Sequence, residues 1–182
     1  GDNQYSLVWR DTVYAGNYFV YGDFDLDNKL EFITTLSGGQ VICVWEFVGD
    51  NCYALTFCDT VYYRGPDIFS ARDMDSNGKP EFLITFVSYL YGTASLYLYE
   101  TIGDNNYDYL LVDSVSGLPL NVVFQLSCGG DVDGDGKDEI IWSTCNQWHI
   151  YKATGVHQYQ KIYSSAWTTH DATVMSVYDL NK

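Results

Sequence analysis

A pattern that recurs along the whole chain confines its fold more than any other feature. "GDFDLDNKLEFIT" begins at Gly22, "RDMDSNGKPEFLIT" at Arg72 and "GDVDGDGKDEIIWST" at Gly130. Each reads Asp-x-Asp-x-Asp/Asn, then Asn or Gly, two further residues, Glu and an apolar run. A fourth copy opens at "YDLNK", with Asp179 and Asn181. The leading aspartates fall at 23, 73, 131 and 179, so the steps are 50, 58 and 48 residues. A second marker keeps register with the first: "VWEFVGDNCYAL" from Val44, "LYETIGDNNYDYL" from Leu98 and "IYKATGVHQYQKI" from Ile150. A third, "DTVY", stands at 11–14 and 59–62, with "DSV" at 113–115. Markers in constant order describe one supersecondary unit used repeatedly, which buries its core by stacking on its neighbours.

Each unit holds four short runs rich in β-branched and aromatic residues, bounded by Gly, Asp and Asn turns. In the second unit they fall near 67–73, 81–87, 95–101 and 107–113. No stretch has the i, i+3, i+4, i+7 rhythm of an amphipathic helix. The expected fold is all-β: a β-propeller segment of four-stranded antiparallel blades. A single assembly over 1–182 is expected to hold three complete blades, at approximately 17–59, 67–113 and 122–164, plus terminal strands at 5–11 and 173–179. Propellers use about 4–8 blades, so the chain is expected to be part of a larger ring or to complete itself with another copy. It opens inside a unit, so its N-terminus is expected to lie upstream.

The formal net charge is −15, with 24 acids against 9 Lys and Arg. That balance repels phosphate backbones and argues against nucleic acid as a partner. Half of the acids lie in the four repeated loops, where a solubility charge would be scattered, so the clusters point to cations. No apolar run approaches the ~18 residues of a membrane-spanning helix. Five cysteines occur without a CxxC pair, which gives zinc little support. Cys43 and Cys52 are expected on neighbouring strands, within reach of each other, while small buried apolar roles are the simpler reading of all five.

Carboxylates on alternating residues can wrap a tight turn around Ca²⁺, which takes six to eight oxygen ligands. In the third loop Asp131, Asp133 and Asp135 fill positions 1, 3 and 5, the carbonyl of Lys137 falls at position 7, and Glu139 closes at position 9. Gly136 permits the sharp turn. An EF-hand would place its closing Glu at position 12 between helices. Here position 12 is Thr34, Ile84 or Trp142, and strands flank the loop.

The spacing Asp-x-Asp-x-Asp-Gly-x-x-Glu leading into a strand resembles the FG-GAP/VCBS repeat family, the calcium-binding blades of integrin-alpha-like propellers. That resemblance covers essentially the whole chain and implies calcium in the loop joining the first two strands of a blade. It implies as ligands Asp23, Asp25, Asp27 and Glu31 in the first loop, Asp73, Asp75, Asn77 and Glu81 in the second, and Asp131, Asp133, Asp135 and Glu139 in the third. Lys29, Lys79 and Lys137 would supply carbonyls, giving about three Ca²⁺ ions. Asn28 stands where Gly is usual, Asn77 removes one charge, and the family's Phe-Gly and Gly-Ala-Pro signatures are not evident.

Catalytic signals are sparse. His149 falls in a strand, His157 at a turn, and His170 beside Asp171 is a weak pair. No nucleophile elbow, phosphate loop or HExxH is present, so the expectation is no enzyme. Trp9, Trp45, Trp142, Trp148 and Trp167 could stack on sugars, but recurrence of rings such as Tyr5, Tyr53, Tyr107 and Tyr159 matches packing between units. The connections at 62–67 and 116–121 are irregular between units and suit ligand recognition. The expected function is a calcium-binding, secreted or cell-surface module for binding, adhesion or assembly, with a protein or glycan ligand. The alternative is the propeller of a carbohydrate-active enzyme of polysaccharide-lyase type, or a lectin. Unpaired terminal strands would allow self-association.

Overall fold

Turn residues divide the chain into runs short enough for strands, and twelve of these pair as hairpins. The computed structural model describes Leu7, Arg10 and residues 15–36, 40–60, 64–88, 91–118, 125–144 and 147–166. The first sheet comprises β1 (Ala15–Gly22), β2 (Glu31–Leu36), β3 (Val41–Gly49) and β4 (Cys52–Thr60). The second comprises β5 (Arg64–Arg72), β6 (Glu81–Ser88), β7 (Thr93–Gly103) and β8 (Asn106–Val115). The third comprises β9 (Gln125–Gly130), β10 (Glu139–Thr144), β11 (Gln147–Gly155) and β12 (Gln158–Ser164). Each is an antiparallel meander with its strands paired in chain order. No helix occurs among the described residues. The expected terminal strands at 5–11 and 173–179 lie outside the described residues, apart from Leu7 and Arg10, which belong to no strand.

The sheets stack through their first strands, with β1 against β5 and β5 against β9. Two apolar cores fill the two seams. The first joins Phe24, Ile33, Ile42 and Val44 to Phe82, Ile84, Phe86 and Tyr99. The second joins Met74, Leu83, Leu96 and Leu98 to Ile140, Trp142 and Tyr151. The middle sheet is covered on both faces, so β6 is buried at every position rather than at alternate ones. β12 is largely exposed on the far side.

Two tyrosine hydroxyls bridge the seams. Tyr99 donates to Asp59 at 3.0 Å and Tyr151 donates to Asp113 at 2.6 Å. Those acids open the "DTVY" and "DSV" markers, so the third marker is a seam acceptor for the following sheet. Burial holds both phenols well above their ordinary pKa, so they stay protonated donors.

Cys43 is bonded to Cys58, not placed to pair with Cys52. The β3–β4 register sets Cys43 directly opposite Cys58, with Cα atoms 4.4 Å apart, whereas Cys52 pairs with Gly49 at the hairpin end and is free. Cys128 has no described side chain and Cys145 lies outside the described residues. A cross-link spanning 15 residues is worth roughly 3 kcal/mol by loop closure. Differential alkylation of the folded protein should label Cys52 and spare Cys43 and Cys58 until reductant is added. Equal labelling of all three would remove the cross-link.

Candidate metal centres

The three acidic loops each join the first strand of a sheet to the second, and they fold alike because the same residues satisfy the same backbone donors. In the first, Asp23 accepts the N–H of Asn28 at 3.0 Å, Asp25 that of Asp27 at 3.3 Å, and Asp27 that of Lys29 at 2.8 Å. In the second, Asp73 accepts from Asn77 and Gly78, Asp75 from Asn77, and Asn77 from Lys79. In the third, Asp131 accepts from Gly134, Asp135 and Gly136, Asp133 from Asp135, and Asp135 from Lys137. These are Asx turns in series. Two residues per loop take left-handed backbone: Leu26 and Asn28, Ser76 and Gly78, Gly134 and Gly136. The left-handed site at position 6 is foreseeable from Asn or Gly; the one at position 4, occupied by leucine and serine, is not.

The closing glutamate does most to define each site. Glu31, Glu81 and Glu139 are 1%, 0% and 0% exposed. One oxygen of each accepts the N–H of the position-2 residue: Phe24 at 2.7 Å, Met74 at 2.6 Å, Val132 at 3.0 Å. The other oxygen, Oε1, is buried without a hydrogen-bond partner in all three. An unsatisfied buried carboxylate oxygen is expensive. Burial, reinforced by the neighbouring aspartates, pushes Glu31 up to about 7 and Glu81 up to about 8. Oxygens of Asp23, Asp25, Asp27 and Glu31 lie within 4.8 Å of one another, as do those of Asp73, Asp75 and Glu81, and of Asp131, Asp133 and Glu139. A donor set of oxygens alone, with one buried oxygen unsatisfied, suits a hard divalent cation such as calcium or magnesium. Asn77 and Asp135 take part in the loops through their own turns, and Lys29, Lys79 and Lys137 stand at position 7 as expected.

The surroundings include residues that the sequence pattern did not single out. Glu46 and Glu100 stand on the third strand of their sheets opposite the closing glutamate, and Lys152 holds the corresponding place in the third sheet, one residue beyond the Ile140–Tyr151 pair and 3.5 Å from Glu139. Glu46 takes Lys29 at 2.8 Å, sharing it with Asp27 at 2.6 Å, and Glu100 takes Lys79 at 3.0 Å. Burial alone would raise Glu100, but hydrogen bonds from Asn77, His157 and Lys79 outweigh it and hold its pKa low. The next sheet then caps the loop. Asn105, in the β7–β8 turn, donates its N–H to Asp25 at 2.7 Å and its amide to Glu46 at 2.8 Å. His157, in the β11–β12 turn, donates its N–H to Asp75 at 2.7 Å, and its Nε2 lies 3.0 Å from Glu100. Both residues are left-handed, as the Gly-Asp-Asn and Gly-Val-His turns require. The visible signal was the second marker itself, whose "VWE", "LYE" and "IYK" carry these acids and the lysine.

His149 belongs to the core instead: it is buried between Thr144 at 3.2 Å and Ser164 at 3.0 Å, and burial lowers its pKa. Trp142 is fully buried in the second seam. Tyr107 packs on Phe57 and Phe82 at the first seam, and Tyr159 packs against the second core. Tyr5, Trp9, Trp167, His170 and Asp171 lie outside the described residues. No protein-family model and no curated protein matches the chain.

The raised glutamates set the pH response of the metal-free chain. A carboxyl whose folded pKa exceeds its unfolded 4.5 stabilises the fold below that value and loses the contribution as pH rises through the folded value. Between pH 5 and 8, in chelator, the melting temperature should therefore fall, with buried His149 opposing the trend near its ordinary 6.5. Glu81→Gln should flatten the fall; an unchanged slope would show that Glu81 does not titrate in that window. Added cation should reverse the slope, because binding expels the protons.

Proposed function

We propose that the chain is part of a calcium-stabilised β-propeller of the FG-GAP/VCBS type, serving outside the cell as a binding, adhesion or assembly module. One observation carries the reading: three closing glutamates, each fully buried, each presenting an oxygen without a hydrogen-bond partner to a ring of carboxylates, with the Lys152 ammonium 3.5 Å from that of Glu139. A divalent cation reverses the sign of the repulsion within such a ring and satisfies the orphan oxygen. The blade interpretation draws on three four-stranded meanders that stack through their first strands. The loops lie beside the seams, so the cation's role is structural. In the first two loops it stiffens the turn that carries the position-2 plug and receives the capping turn of the next sheet.

An extracellular or cell-surface location follows from the same chemistry. Millimolar calcium keeps modest sites filled there, and an oxidising compartment preserves the Cys43–Cys58 bond. Exposed connections on a rigid frame are where a protein or glycan ligand would be read. No catalytic role is assigned to any residue in this reading.

Calcium should raise the melting temperature by mass action, and excess chelator should lower it by several degrees. Asp73→Ala should abolish one bound ion in a calcium titration. Identical melting curves with calcium and with chelator would end the calcium assignment.

A further inference from the structure

The three loops are not equivalent, and the difference lies in Lys152. Where the first and second sheets place Glu46 and Glu100 opposite the closing glutamate, the third places a lysine. The exchange reverses the charge at that one position and leaves the loop less negative. Loop and facing residues sum to −4 around Asp23–Glu31 with Glu46, and to −3 around Asp73–Glu81 with Glu100. Around Asp131–Glu139, counting Lys137 and Lys152 and leaving aside Asp138, which pairs with Arg72, the sum is −2. The Lys152 ammonium enters the loop itself. Its Nζ lies 2.5 Å from Asp133, 2.7 Å from Asp135 and 3.5 Å from the orphan Oε1 of Glu139. Those oxygens belong to three of the four residues expected to ligate an ion. Lys29 also touches its loop, at Asp27, but Glu46 holds the same ammonium from the far side. In the third sheet no acid stands at that place to draw Lys152 away.

The third loop also differs in its surroundings among the described residues. Asp25 and Asp75 each accept the turn N–H of a following sheet. Among the described residues no such turn reaches Asp133, and residues 131–137 are exposed. Val132, at the position where Phe24 and Met74 are fully buried, is 41% exposed.

We propose that Lys152 is a built-in competitor cation, which makes the third loop a weak calcium site and leaves the first two as the strong ones. The inference rests on the calcium reading of the loops. The ammonium neutralises the ring in the metal-free chain, and Ca²⁺ must displace it to bind. An adjacent opposite charge shifts a carboxylate's proton affinity by about 10- to 1000-fold, and the calcium affinity of this loop should fall by a factor in that range.

Native mass spectrometry across a calcium series tests this directly. The wild-type chain should take up two ions together and a third only at calcium at least about tenfold higher. Lys152→Glu, which installs the acid of the other two sheets, and Lys152→Gln should bring the third ion into the range of the first two. Glu139→Gln should delete the late ion alone. A second readout is independent of uptake: in chelator Lys152→Gln should lower the melting temperature, and in saturating calcium the loss should disappear. Three ions of equal affinity in the wild type, unmoved by the Lys152 variants, would overturn the proposal while leaving the calcium reading intact. No uptake by any variant would overturn both.

Discussion

The structure depends on one buried carboxylate used three times. Glu31, Glu81 and Glu139 each spend one oxygen on the N–H of the loop's second residue and leave the other without a hydrogen bond. The first bond fixes where the second residue's side chain goes. Phe24 enters the seam against Phe82, with ring centroids 5.5 Å apart, and Met74 packs so tightly on Gly129 that a Cβ there would collide with its methyl carbon. A loop dense in charge thus supplies the apolar plug of the neighbouring sheet. The oxygen left without a hydrogen bond makes the arrangement costly, and a cation bound there, as proposed, would tie the packing of the seams to metal binding.

The seams are built from both ends of each sheet. At the loop end, the position-2 plug and the capping turn lock onto the next sheet; farther along, Tyr99 and Tyr151 reach back to Asp59 and Asp113. Polar and apolar contacts alternate at the seam, and the apolar ones contribute most, since burial of large side chains stabilises by about 1.5–3 kcal/mol each. The directional hydrogen bonds set the relative placement of the sheets.

Position in the stack makes the three loops unequal despite their shared pattern. The first two are covered by a following turn, and Glu46 and Glu100 each hold a loop lysine, Lys29 being shared with Asp27. The third, which matches the acidic pattern most completely, is exposed among the described residues and holds the Lys152 ammonium among its carboxylates. Conformity to a ligand motif therefore ranks the loops in a different order from their electrostatic surroundings.

Much was written in the chain as local chemistry. Alternating aspartates dictated Asx turns, Asn28, Gly78 and Gly136 permitted the reversal, and β-branched and aromatic runs between turn residues dictated strands in antiparallel meanders. These depend on residues close in sequence, so spacing alone determined them. Folding decided what spacing cannot carry. Cross-strand register chose Cys58 over Cys52 as the partner of Cys43. Stacking buried both faces of β6 and removed the alternation expected of a strand with one wet face. Most of all, approach of residues 13 to 82 positions away placed Glu46, Asn105, Glu100, His157 and Lys152 around the loops. The charge a cation meets is a sum over space, and the order of residues along the chain specifies only part of it.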